Sequence, residues 1–170
     1  MPVSLLADAF GHHAWATLRV LDACAALDDG QLATVVPGTY GTILDTLRHL
    51  VDADVFYLDV LAGRPTTFDK EVDIPTLRAV MEANGPAWQR LIAGEMDPTT
   101  VVTEHEDSGY DTHAPIGIRL AQALHHGTDH RSQVCTAFTT LGIEPPSIDV
   151  WDYGTLDGRV FTEPRGAADR

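Results

Sequence analysis

Apolar positions recur at helical spacing in four segments of the chain, and breakers separate them. In SLLADAFGHHAWATLRVLDACAAL, Leu6, Phe10, His13, Leu21 and Cys24 fall near one stripe, with Leu18 and Ala25 beside it. Ser4 is placed to cap its start. Gly30, Pro37, Gly38 and Gly41 interrupt the pattern. A second segment then runs from Thr42 to Leu61 and stops at Gly63 and Pro65. A third spans Ile74 to Ile92; Pro75 suits its first turn, and Gly85-Pro86 predicts a kink or break within it. A fourth starts near Pro115 and ends at Leu141, where Gly142 is a good stop. Before it, Val101, Thr103 and His105 alternate with Val102, Glu104 and Glu106 ahead of Ser108-Gly109, a hairpin pattern. IEPPSIDVWDYG reads as extended and EPRGAADR as a frayed end.

Four long helices predict an all-α protein, a four-helix bundle with a small hairpin before the last helix. The connections are too long for a simple up-down meander, so one or two crossovers are expected. A chain of 170 residues suits one domain over 1–170, with its core about 4–154 and a C-terminal tail about 155–170.

Charge narrows the partners. The formal net charge is -14, and the only lysine is Lys70. Such a surface repels phosphate backbones and anionic lipid headgroups, so neither nucleic acid nor a membrane is expected as a partner. No apolar run reaches the length of a membrane span and no basic leader is seen, which gives a cytoplasmic protein as the expectation. Cys24 and Cys135 lack CxxC spacing and read as free thiols in helices.

The candidate chemistry lies in ALHHGTDHRSQV. On a helix, His126 and His130 are about 40° apart and can chelate one divalent ion, while His125 points elsewhere. Gln122 and Gln133 share their stripe, and Asp129 lies at its edge. Leu120, Leu124, Phe138 and Leu141 occupy a different face, so the polar stripe is separate from the core face. Gly127 stands where the HExxH motif needs Glu, so no general base is built into the pair. A third ligand must come from another helix: His12, His13, His49, His105 and His113 are the candidates. His49 is the best, mid-helix on the stripe Asp45, His49, Asp52, Phe56, with His13 able to line the same cavity. Asp45, Asp52 or Asp129 could accept the second N–H of a ligating imidazole, and Gln122 or Gln133 could orient a ligand or substrate. Arg131, well round the helix, reads first as an ion-pair partner that fixes the bundle and second as a substrate anchor.

Together these segments resemble the DinB/YfiT family of small helical metalloproteins. HHAWATLRVLDA looks like its first helix, VPGTYGTILDTLRHLVDADVFYLDVLAG its second-helix block, LHHGTDHRSQV its last-helix HGTxHRxQ block, and LGIEPPSIDVWDYG its usual ending. Thr17 stands where Asn is common, His125 where Asn often precedes the ligand, and Asp129 where an aromatic or His is frequent. The resemblance implies up-up-down-down connectivity, a divalent metal held by His49, His126 and His130, and a homodimer. It also implies thiol-dependent transfer with bacillithiol, mycothiol or glutathione as cosubstrate; the Ala-, Asp- and Gly-rich composition favours mycothiol among them.

Three imidazoles leave a coordination position open, the pattern of a catalytic site, and the donor set suits zinc or nickel. The expected function is a metal-dependent enzyme that activates a low-molecular-weight thiol, as an S-transferase, or water, as a hydrolase, on a small-molecule substrate. The alternative is a non-catalytic metal-binding stress-response protein. A purely structural bundle with incidental histidines is the third reading.

Overall fold

The computed structural model describes residues 4–69, 71–105 and 109–164. The order is α1 (Leu5–Cys24), α2 (Asp29–Leu32), α3 (Ile43–Leu61), α4 (Ile74–Ile92), β1 (Val101–His105), β2 (Asp111–Pro115), α5 (Ile116–Thr140) and α6 (Val150–Leu156). The chain is mostly helical, and its four long helices are those the hydrophobic pattern marks out. Among the described residues no helix is long and apolar enough to cross a membrane.

Local chemistry sets the helix ends. The Ser4 side chain accepts from the Ala7 N–H, as its position predicts. Thr42 and Asp45 form a reciprocal capping box at the start of α3. Asp73 caps α4, with Pro75 in the first turn. Pro115 offers no side-chain cap to α5. Instead the Ile116 and Gly117 N–H groups donate to the Thr100 and Pro98 carbonyls. Gly63 and Gly142 end α3 and α5 with φ of 64° and 72°, a region that costs glycine little.

The expected hairpin is present: β1 and β2 pair antiparallel with Thr103 opposite His113. Glu104 turns inward, where the buried Arg119 of α5 donates to it. Ser108 of the turn and residues 165–170 of the expected frayed end lie outside the described residues.

Three expectations need correction. Of the kink or break expected at Gly85-Pro86, the break is absent: helix α4 is continuous through both residues. Gly85 is explained by close helix approach, since a Cβ there would lie 3.3 Å from the Cβ of Ala14 on α1. The stretch read as extended contains α6, capped by the Asp149 side chain at the Trp151 N–H. Tyr153 from α6 packs beside Trp15 of α1 at 5.6 Å between centroids. The stripe on α1 is also displaced: Leu6 and Ala25 are exposed, while Ala16, Thr17 and Val20 are buried.

The principal neighbours run α1–α4–α3–α5 and back to α1. Two hydrophobic clusters fill the bundle. The larger includes Val20, Leu47, Val51, Leu77, Met81 and Phe138; the smaller includes Phe10, Leu58, Trp88 and Leu120. Both cysteines are free, and burial pushes the Cys24 thiol up to about 12.

Candidate metal centre

Helix α5 presents two faces one residue apart. His126 and His130 look toward α3, while Gly127 and Arg131 are buried toward α1. The 100° step between adjacent helical residues makes this division possible.

On the first face, His126 and His130 meet His49 of α3. Their ligand atoms all lie within 4.8 Å of one another. The ring centroids are 4.8 Å apart for His49–His126, 4.8 Å for His49–His130 and 4.4 Å for His126–His130. The Nε2 atoms of His49 and His126 approach to 3.0 Å. Two nitrogens on one tetrahedral ion with bonds of 2.0–2.1 Å would stand about 3.3 Å apart, so small side-chain movements suffice.

Protonation suits ligation as well. Burial, and then the neighbouring His130 and His49, lower His126 from 6.5 to about 4, against an opposing pull from Asp129. His126 is thus neutral at pH 7, the form a metal needs. The Gln133 side-chain oxygen accepts from the Tyr40 backbone N–H at 3.1 Å and meets His130 Nδ1 at 2.9 Å. A backbone N–H can only donate, so the Gln133 atom between them is the oxygen. His130 therefore carries its proton on Nδ1 and keeps the Nε2 lone pair for a ligand. Tyr40 also stacks on His49, 4.0 Å between centroids and 4° from parallel. These residues fit a divalent ion in donor type, convergence and protonation.

The other expected pocket residues divide. Asp52 lines the cavities on either side of His49. Asp45 lines one of them, but its carboxylate is engaged by Thr42 at the helix cap. Gln122 is exposed on α5, and burial pushes the hydroxyl of nearby Tyr57 above the usual phenol range. Asp129 is exposed and acts on His126 only through its field. His125 is exposed, as its angle on the helix predicts. His105 and His113 lie on the hairpin, and His12 donates to the Ile148 carbonyl at 2.8 Å.

His13 is the main departure. It joins no ligand set but sits in a buried polar network that ties the four long helices together. Asp54 of α3 accepts from His13 Nε2 at 2.7 Å, Trp88 Nε1 at 2.9 Å and Asn84 Nδ2 at 2.7 Å. Arg131 of α5 donates to His13 Nδ1 at 3.1 Å and to Thr17 Oγ1 at 3.0 Å. Arginine only donates and a carboxylate only accepts, so the His13 ring is a neutral relay with its proton on Nε2. Burial lowers Arg131 to about 10, with the Asp54 charge opposing; it stays protonated at pH 7. The expected ion pair of Arg131 is therefore an indirect one, transmitted through His13. Gly127 makes room for it: a Cβ there would fall 2.4 Å from His13 Cε1 and 2.9 Å from Arg131 Nη1. Sequence reasoning passed over Asp54, Asn84 and Trp88; the glycine between His126 and His130, a poor helix former in mid-helix, was the available signal.

A helical bundle with a three-histidine cluster between two of its helices defines a class that could hold a metal ion. The chain belongs to the DinB family, which matches residues 1–165. No curated protein sequence matches it.

Proposed function

We propose that the protein is a divalent-metal-dependent enzyme whose His49, His126 and His130 hold the ion and whose reaction uses a low-molecular-weight thiol or water as nucleophile. The observation that carries this reading is the convergence of three imidazoles beside two open cavities. Imidazole donors suit zinc or nickel. An ion bound there supplies Lewis acidity that lowers the pKa of a thiol or water joining it.

The chain's own groups do the rest. Gln133 holds His130 in the tautomer that leaves Nε2 available, and the Tyr40 ring limits rotation of His49. Asp52, one turn from His49 and bordering both cavities, is assigned to accept the proton that the nucleophile gives up. The proposed bundle direction is up-up-down-down. The ring of neighbours supports it, because α1 and α3 then stand diagonally opposite, as do α4 and α5.

The test is thiol consumption by metal-loaded protein with a panel of thiols, including mycothiol, bacillithiol and glutathione, and small electrophiles, with ester hydrolysis as the water arm. One ion per chain and turnover abolished by His126→Ala is the expected result. One ion per chain with no turnover in either arm would leave a metal-binding protein without this activity.

A further inference from the structure

The two helices that bring the three histidines together are each fixed from behind. Asp54 lies five residues beyond His49 on α3 and is buried, about 140° round the helix from it. Arg131 directly follows His130 on α5 and is buried about 100° round from it. Both charged groups end on one ring. His13 of α1 donates to Asp54 at 2.7 Å and accepts from Arg131 at 3.1 Å. The helix with one ligand and the helix with the other two are thus referenced to the same imidazole.

Such a reference matters because a metal set is sensitive to the facing angle of its helices. Burial of apolar surface is non-directional and resists rotation of a helix about its own axis only weakly. A turn of about 10° carries an atom about 6 Å from the axis through about 1 Å. Binding constellations tolerate about 0.5 Å. Directional bonds on the reverse side oppose that turn. On α5, the Arg131 guanidinium also donates to Thr17 Oγ1 of α1 at 3.0 Å, and Thr128 orients it at 3.2 Å. On α3, Asp54 also accepts from Asn84 and Trp88 of α4 at 2.7 and 2.9 Å. Gly127 lets α5 lie against the His13 ring, since a Cβ there would fall 2.4 Å from Cε1. A buried charge pair adds little net stability over apolar packing of the same volume, so stability alone does not account for this one.

We infer that His13 is a positioning residue for the three-histidine cluster, acting through Asp54 on His49 and through Arg131 on His126 and His130. Its ring sets the angle at which α3 and α5 face each other, and with it the convergence of the three imidazoles. The consequence for metal affinity rests on the reading of the cluster as a metal centre. The convergence itself does not, and it can be measured without the ion.

The experiment uses the full chain and four variants. His13→Gln keeps an acceptor for Arg131 and a donor for Asp54, and His13→Leu keeps neither. Gly127→Ala leaves every hydrogen-bonding group in place but presses on the ring. Val20→Ala, two turns further along α1 in the larger core cluster, removes packing and no hydrogen bond. Cobalt(II) affinity is measured by competition with a chromophoric chelator, and the visible cobalt bands report ligand geometry, at a temperature where circular dichroism shows each protein folded. His13→Gln is expected within about threefold of the parent, and His13→Leu and Gly127→Ala weaker by about tenfold or more with shifted bands. Val20→Ala should match the parent in both readouts, although it too loses stability. Parental affinity and bands in Gly127→Ala, no advantage of Gln over Leu, or an equal loss in Val20→Ala would overturn the inference. Should His13→Leu not fold, Gly127→Ala against Val20→Ala decides. The metal-free arm follows nuclear Overhauser contacts between the ring protons of His49 and His126, whose centroids are 4.8 Å apart. They should persist in the parent, His13→Gln and Val20→Ala and fade in Gly127→Ala; persistence in Gly127→Ala overturns the inference. A parent that binds no cobalt would remove the metal reading alone, and the metal-free arm would still decide the role of His13.

Discussion

A Cβ on Gly127 would lie 2.4 Å from Cε1 of His13, a ring held at both nitrogens by Asp54 and Arg131. Gly127→Ala would gain about 1 kcal/mol of helix propensity. The overlap falls on a ring that cannot move aside, and overpacking of this kind costs about 1–3 kcal/mol. Overpacking should win. Urea unfolding is expected to show a variant less stable than the parent by up to about 2 kcal/mol. A stabilised variant would mean that the His13 ring is free to shift.

Gln133 should act on the metal through His130. Gln133→Leu removes the acceptor shared by His130 Nδ1 and the Tyr40 N–H, while Gln133→Glu preserves it. Loss of such a partner weakens metal binding roughly 10- to 100-fold. Competition with a chromophoric chelator should show that loss for Leu and near-parent affinity for Glu. Equal affinities for Leu and the parent would show that the tautomer is set some other way.

The ligand assignment contains its own control. His49→Ala, His126→Ala and His130→Ala should each strip the ion, whereas His125→Ala, exposed on another face of α5, should retain it. Elemental analysis of the four purified variants reads the outcome. Retention by His49→Ala would place the third ligand elsewhere, and loss by His125→Ala would overturn the assignment on α5.

Acid should destabilise the metal-free protein earlier than its carboxylates require. His126 is lowered from 6.5 to about 4 in the folded state, so the unfolded chain takes up its proton first. The resulting stability is complete above about pH 6.5 and is lost as pH falls toward about 4. His12, also lowered by burial, adds in the same direction. Thermal midpoints between pH 7.5 and 5 should fall in the parent and fall less in His126→Gln. Parallel curves for the two proteins would remove His126 as a source of the slope.

The fold was legible where local signals agreed. Pro75 and the apolar period mark the start and course of α4, and Gly142 marks the end of α5. His126 and His130 were legible because their spacing is local, and His49 because its stripe is polar on an otherwise apolar helix. The Asp54 network was not. It joins residues 41 positions apart at His13–Asp54 and 118 apart at Arg131–His13, and no periodicity reports such partners. Helix α6 was hidden by Pro145-Pro146, which signal extended chain just before the Asp149 cap.

The Asp54 hub also bears on how the chain is made. Asp54 and His13 leave the ribosome long before Arg131, so a nascent chain ending short of α5 holds a carboxylate and an imidazole with their cationic partner missing. Such a chain gains little by closing around them, because burying them without Arg131 is costly. Arg131 arrives one residue after His130, and with it the last of the three histidines. Synthesis of a single stretch of α5 therefore both removes the obstacle to compaction and completes the cluster, so that the intermediate lacking one also lacks the other.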